Sequence, residues 1–196
     1  MQASIATNRD SAVGPQWLGT YYFIRFAVSA TWVAAAFTLA RGAPSVAAVL
    51  LVAYPAWDAI ANFVDASRSG GLARNGSQSL NLLVSLLATA GVGIALGHGM
   101  NAVLVVYGVW AVFAGLFQLI TAARRWKAYG AQWAMILSGA QSALAGAFFV
   151  RLAGTGAAAG ITDIAPYAAF GAFYFLVSAI WLTVKNARRG ASRGAA

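Results

Sequence analysis

The chain has 196 residues, of which 61% are hydrophobic and 9% are charged. Because about a quarter of the residues in soluble domains are charged, this composition excludes an ordinary soluble fold and indicates an integral membrane protein. The absence of cysteine excludes disulfides, thiol nucleophiles and thiolate metal sites. The net charge of +9 is concentrated in short breaks between apolar runs instead of on an aromatic-rich polar face, so we expect no nucleic-acid partner.

Six apolar stretches are long enough to cross a bilayer. Crossing about 30 Å of hydrocarbon takes about 20 helical residues, and breaks that contain glycine or proline separate several of the stretches. The sequence therefore predicts an all-α, integral membrane six-helix bundle, flanked by a cytoplasmic segment at 1–16 and a basic cytoplasmic tail at 186–196. The predicted spans, within a domain at 17–185, are 17–40, 44–65, 80–98, 101–123, 131–152 and 163–185.

The basic residues between these stretches predict their orientation. Cytoplasmic loops of membrane proteins are enriched in lysine and arginine, and here ten basic residues fall on one side and two on the other. We therefore expect a multi-pass protein of the bacterial inner (plasma) membrane with both termini in the cytoplasm. The cytoplasmic set is Arg9, Arg68, Arg74, Arg124, Arg125, Lys127, Lys185, Arg188, Arg189 and Arg193, and the opposite set is Arg41 and Arg151.

An internal repeat is visible in the second and fourth spans. The stretch "YPAWDAIANF" from Tyr54 and the stretch "YGVWAVFAGL" from Tyr107 place tyrosine and tryptophan at the same spacing. A weaker third copy covers the fifth and sixth spans. The pattern predicts three tandem helix hairpins inserted in the same direction, formed by spans one and two, three and four, and five and six.

The segment "YGVWAVFAGLFQLITAARRWKAYGAQWAMILSGAQSALAGAFFVRL", from Tyr107 to Leu152, resembles the HdeD-like acid-resistance membrane proteins. In that family a helix with tryptophan and small residues ends in a basic loop, and the next helix carries a tryptophan and two glycines at the spacing of Trp133, Gly139 and Gly146 here. The resemblance implies a six-helix inner-membrane protein associated with tolerance of acid, and it implies no catalytic residue. The first hairpin departs from the family pattern, because charged residues interrupt its apolar runs.

Those charged residues form a predicted polar cluster inside the membrane. Asp58, Asn62 and Asp65 are spaced to share one stripe of a helix. Arg25 lies about 12 Å from the inner end of span one and Asp58 about 10 Å from the inner end of span two, at 1.5 Å per residue. Because an unpaired charge inside the bilayer is costly, we expect Arg25 to pair with Asp58, with Asn62 completing the hydrogen bonding.

Two further residues of span two have expected local roles. Asp65 lies closer to the cytoplasm and can reach Arg68 or water. Pro55 removes an i to i−4 hydrogen bond and so frees the carbonyl group of Leu51, which predicts a kink beside the ion pair.

The remaining candidate residues are a histidine and several small residues. His98 is expected in a loop on the outer side, where an imidazole could sense acid or simply be solvated. Pairs of small residues four apart predict close helix approach, either within the chain or between copies in a homo-oligomer. The packing candidates are Gly93 with Gly97, Ala111 with Gly115, Ser142 with Gly146, and Gly139.

Two functional hypotheses remain open at this point. In the first, the Arg25–Asp58 pair is only a latch, and the protein is a non-enzymatic membrane protein of acid or general stress tolerance that acts through lipid or protein contacts. In the second, Asp58 changes protonation in a cytoplasm-facing cavity beside Asn62, and the protein is a small proton- or ion-coupled carrier or channel. We expect no enzyme, cofactor or metal site, because the chain lacks a nucleophile–base pair, a metal cluster and a phosphate-binding loop.

Overall fold

A computed structural model of the chain describes the backbone of residues 15–125 and 132–194, and the side chains of 17–120, 123 and 136–188. The described part is an all-α fold of six helices, in agreement with the predicted class. Two short 3₁₀ turns, Leu72–Arg74 and Leu96–His98, precede and follow the third helix. The helices are α1 (Pro15–Thr38), α2 (Pro44–Arg68), α3 (Gly76–Ala95), α4 (Met100–Arg125), α5 (Gln132–Ala153) and α6 (Ile161–Gly194).

Five of these helices, α2 to α6, are long and apolar enough to cross a membrane. Their outward faces carry large apolar side chains such as Val49, Ile94 and Leu144, which are 68%, 71% and 72% exposed. Apolar surface of this extent suggests contact with a lipid bilayer. The first helix does not belong to this set, because Arg25 and neighbouring tyrosines reduce the apolar character of its first half.

The helices contact one another in chain order around a ring, which the contact between α1 and α6 closes. The most extensive contacts join α4 to α5, α1 to α6, and α2 to α3. The predicted division into hairpins of spans one and two, three and four, and five and six is therefore not confirmed. The reason lies in the interfaces: α4 and α5 approach each other backbone to backbone, whereas polar side chains make the described hydrogen bonds between α1 and α2.

Two pairs of glycines set the close approach of α4 and α5. A Cβ atom on Gly115 would lie 2.5 Å from the carbonyl oxygen of Gly139, and one on Gly108 would lie 2.7 Å from the carbonyl oxygen of Gly146. These distances are too short for a real side chain, so only glycine permits this helix separation. Ala111 is fully buried between the two pairs, and a Cβ atom on Gly115 would also lie 3.1 Å from the Cβ atom of Ser142.

The Gly93 and Gly97 pair behaves differently. Both residues are exposed, and a Cβ atom added to either would meet nothing within 4 Å. Among the described residues they make no close helix contact, and their packing between copies of the chain stays a prediction.

The two ends of the bundle differ in charge and in packing. We call the end that holds Arg68, Arg74, Lys185 and Arg188 the basic end, and the opposite end, which holds Arg41, His98 and Arg151, the far end. The half towards the far end is a packed apolar core. Its fully buried side chains include Ala36, Leu51, Val103, Leu104, Tyr107, Ile164, Ala165 and Ala168.

Candidate functional site

The half of the bundle towards the basic end contains a cavity with a volume of about 430 Å³. Residues of all six helices line it, and its lining extends to Asp65 and Ser77, where α2 ends and α3 begins. From Tyr54 to Asp65 the cavity follows α2 for about 16 Å, at 1.5 Å per residue. Hydrogen-bonding side chains from different helices face it, including those of Ser29, Asn62, Asn81, Gln118, Gln141 and Ser142.

A layer of aromatic rings closes the cavity towards the apolar core. The Trp110 ring lies at the centre of this layer, with its centroid 6.0 Å from that of Tyr54, 5.6 Å from that of Tyr107 and 6.4 Å from that of Tyr167. Trp32 packs on Tyr54 with a centroid distance of 4.8 Å, and Phe149 packs on Tyr167 at 6.0 Å. We call these six rings the aromatic floor. Because these rings come from α1, α2, α4, α5 and α6, a movement of any of these helices would disturb the packing of the aromatic floor.

Asp58 is the centre of a hydrogen-bond network immediately above this floor. Its carboxylate forms an ion pair with Arg25, the pairing that the depths in the sequence predict. It also accepts hydrogen bonds from the Asn62 amide at 2.9 Å and from the Ser85 hydroxyl at 2.8 Å. The Ser85 hydroxyl in turn accepts a hydrogen bond from the Trp110 indole N–H at 3.1 Å. One carboxylate thereby connects α1, α2 and α3 directly, and α4 through Ser85.

The Arg25 guanidinium is held on several sides. It donates to the Tyr21 hydroxyl at 3.3 Å, and the Tyr21 hydroxyl donates to the Ala61 carbonyl oxygen at 3.1 Å. Its charged carbon lies 4.2 Å from the centroid of the Phe175 ring on α6, a cation–π geometry. The side chain is only 14% exposed, and its Nε has no hydrogen-bond partner among the described groups. Arg25 is therefore a fixed part of the cavity wall.

The carbonyl groups of α2 near Pro55 are satisfied from neighbouring helices. Pro55 lies inside α2 and has no N–H to donate to the Leu51 carbonyl. The Tyr107 hydroxyl supplies the missing hydrogen bond at 2.7 Å, and the Trp32 indole N–H donates to the Leu50 carbonyl oxygen at 2.7 Å. The polar atoms of two rings in the aromatic floor thus hold α2 at its proline.

Asp65 lies at the opening of the cavity with neutral partners. Its carboxylate accepts hydrogen bonds from the Gln78 amide at 3.2 Å and from the Ser69 hydroxyl at 3.5 Å. Arg68 does not pair with it, contrary to one of the sequence expectations. The Arg68 guanidinium instead lies 4.4 Å from the centroid of the Trp17 ring.

Other residues singled out in the sequence lie away from this site. His98 is exposed at the far end, so the structure does not bring it near the polar cluster. Gly115, Gly139, Ser142 and Gly146 belong to the interface of α4 and α5, and only Ser142 among them also lines the cavity. The side chain of Trp133 lies outside the described residues, as do 1–14 and the stretch 126–131 between α4 and α5.

Sequence reasoning missed the contribution of α3. Gln78, Asn81 and Ser85 recur at intervals of three and four residues, which places them on one helix face. All three contribute to the site: Gln78 and Asn81 line the cavity, and the hydroxyl of the buried Ser85 holds Asp58. This stripe within an apolar helix is the signal that could have located the third wall.

The described residues include no group of three or more histidine, aspartate or glutamate side chains that could hold a metal ion. No family model, no curated protein and no solved structure matches this chain. The functional assignment therefore depends on the cavity itself.

Proposed function

We propose that the protein is a non-enzymatic membrane carrier for small polar solutes, with the cavity as its binding site. The observation that supports this most strongly is a cavity of about 430 Å³, lined by residues of all six helices with many hydrogen-bonding side chains among them, that an aromatic layer closes halfway through an otherwise apolar bundle. Ligand sites for small molecules have volumes of about 300–1,000 Å³. A cavity open towards one end and closed towards the other is the geometry of one state of an alternating-access carrier.

In this proposal all six helices cross the bacterial inner membrane. The first helix crosses although it is less apolar than the others, because its arginine faces Asp58 and the cavity instead of lipid. The excess of basic residues at the end where the cavity opens supports a cytoplasmic location for that end and for both termini.

The network around Asp58 supports a structural role for the ion pair. Arg25, Asn62 and Ser85 all donate to the one carboxylate, which thereby joins α1, α2 and α3. We propose that this network fixes the helices around the cavity while the solute binds to the remaining polar groups.

A role in acid or stress tolerance stays a prediction from the resemblance to the HdeD-like proteins. Two of the residues that support the resemblance, Gly139 and Gly146, pack against α4. Their contacts explain the motif by helix packing and add nothing to the assignment of a substrate.

Uptake into proteoliposomes tests the carrier proposal. Purified protein is compared with Gly171→Phe, which adds a ring to the cavity wall where a Cβ atom would lie 3.7 Å from the Tyr54 hydroxyl. Ile180→Phe, on the exposed face of the same helix, is the matched control. We expect uptake of radiolabelled small polar solutes by the wild type and the control, and loss of uptake in Gly171→Phe. No uptake of any tested solute by folded wild type would overturn the proposal.

Single cysteines test the orientation, because the chain has none of its own. Arg74→Cys and Ala158→Cys introduce exposed thiols near the basic and far ends, respectively. In intact cells, we expect an impermeant thiol reagent to label position 158 and to leave position 74 unlabelled. The reverse pattern would overturn the cytoplasmic assignment of the basic end.

A further inference from the structure

The charges that line the cavity do not balance. Among the described lining residues one is cationic, Arg25, and two are anionic, Asp58 and Asp65. Arg25 and Asp58 neutralise each other in their ion pair. Asp65 has neutral partners, and no described cationic side chain forms an ion pair with it. The described lining therefore carries a net formal charge of −1, located at Asp65.

The cavity walls are also rich in aromatic rings. Tyr22, Trp57, Tyr174 and Phe175 line the cavity in addition to three rings of the aromatic floor, those of Tyr54, Trp110 and Tyr167. Rings attract cations through their faces, most strongly when water is excluded. Arg25 makes such a contact with Phe175 at 4.2 Å, so one ring of this wall already presents its face to a positive charge.

From these two features we infer that the solute is a monovalent organic cation, a small alkylammonium or quaternary ammonium compound. Its positive charge lies against Asp65, and its carbon substituents pack on the neighbouring rings. This inference rests on the proposed function and specifies the class of its substrate. An inorganic divalent cation fits less well, because Ca²⁺ requires six to eight oxygen ligands and the described residues form no acidic cluster of that kind.

The basic residues at the rim do not prevent this selectivity. Arg68 lies against Trp17 instead of Asp65, and Arg74, Lys185 and Arg188 are exposed to solvent. Charges in solvent are screened over about 8 Å at physiological ionic strength. They reduce the rate at which cations approach, whereas the affinity depends on the carboxylate and rings inside.

The test is a binding measurement by isothermal titration calorimetry on the full-length chain in detergent micelles. The ligands are choline and 3,3-dimethylbutan-1-ol, which have the same shape and differ by the positive charge. We expect choline to bind and its neutral isostere to bind at least tenfold more weakly. Equal binding of the two ligands, or no binding of choline to folded protein, would overturn the inference.

Substitutions of single aspartate residues show which carboxylate binds the cation. Asp65→Asn keeps the acceptor for Gln78 and removes the charge, so we expect at least a tenfold loss of choline affinity. Asp65→Glu should retain binding, and Asp163→Asn, a matched loss of charge on an exposed residue at the far end, should bind like the wild type. Unchanged choline affinity in folded Asp65→Asn would show that the carboxylate is not the counter-ion.

Binding and uptake measured together distinguish failure of the cation inference from failure of the carrier proposal. If neutral polar solutes enter proteoliposomes and choline neither enters nor binds, the carrier proposal survives and the cation inference fails. If choline binds but no tested solute, choline included, enters the proteoliposomes, the inference about the site holds and the carrier proposal fails.

Discussion

Replacing Asp58 by alanine should destabilise the bundle more than any other single loss of charge in the described part of the chain. The substitution removes the acceptor for Arg25, Asn62 and Ser85 at once. Removing one member of a buried ion pair costs about 3–5 kcal/mol, because the remaining charge loses its counter-ion. The Arg25 and Asp58 side chains are 14% and 19% exposed, so they are not fully buried. We therefore expect the lower end of that range, about 3 kcal/mol.

The network also predicts an asymmetry between the two partners. Arg25→Gln leaves the Asp58 carboxylate with two donors, Asn62 and Ser85, whereas Asp58→Ala leaves the guanidinium without an anion. Arg25→Gln should therefore cost less than Asp58→Ala. The control Asp163→Ala removes the carboxylate that accepts a hydrogen bond from the Gly160 N–H at the exposed start of α6, which is worth about 1 kcal/mol.

Reversible unfolding in mixed detergent micelles, followed by circular dichroism, measures these differences. The double variant Arg25→Gln with Asp58→Ala completes a cycle, and its loss should be smaller than the sum of the two single losses. A free energy of unfolding for Asp58→Ala within about 0.5 kcal/mol of the wild type, or additive losses in the cycle, would refute the buried network.

Two further predictions concern packing. Gly115→Ala should lower the free energy of unfolding by about 1–3 kcal/mol, because its Cβ atom meets the backbone of α5. The control Gly93→Ala adds a Cβ atom that meets nothing within 4 Å and should not lower it. Equal stability of the two variants in the same unfolding assay would contradict the close approach of α4 and α5. Tyr107→Phe leaves the buried Leu51 carbonyl without a donor and should cost about 1–3 kcal/mol. Adding Pro55→Ala restores a backbone N–H that can donate to the Leu51 carbonyl, so it should recover part of that loss. A double variant less stable than Tyr107→Phe would argue against the Tyr107 hydroxyl replacing the N–H that Pro55 lacks.

The helices and the ion pair could be predicted from the sequence for simple physical reasons. Long apolar runs separated by glycine, proline and basic residues locate helices, and the observed helices begin and end near the predicted spans, except that α6 continues past the predicted end at 185 to Gly194. The pairing of Arg25 with Asp58 follows from the cost of isolated charge and from their similar depths. The freed carbonyl of Leu51 follows from the covalent structure of Pro55.

The arrangement of the helices could not be predicted from the sequence in the same way. A repeated sequence pattern suggested hairpins, but the closest pairs depend on where glycines of two helices face each other. Gly108 and Gly115 are seven residues apart, as are Gly139 and Gly146, so antiparallel helices bring both pairs together. That match is visible in the sequence only after α4 and α5 are known to be partners.

The cavity depends on all six helices and was only one of the sequence alternatives. Single polar residues are common in membrane helices, where hydroxyl side chains often donate to their own backbone, as Thr89 does to the Ser85 carbonyl oxygen. Their convergence around one space is a property of the ring of helices. Hydropathy alone therefore underestimates the polar interior, as it does for the stripe on α3.

Accessibility of Ser142 from the basic end tests the cavity most directly. Ser142 lines the cavity on α5, and Leu144, two residues away, is 72% exposed on the outer face. Each is replaced by cysteine in the cysteine-free chain, and an impermeant thiol reagent is added to one side of oriented vesicles. We predict that position 142 reacts only from the side of the basic end and that position 144 reacts from neither. Labelling of position 142 from the far side alone, or from neither side, would contradict a cavity that opens at the basic end.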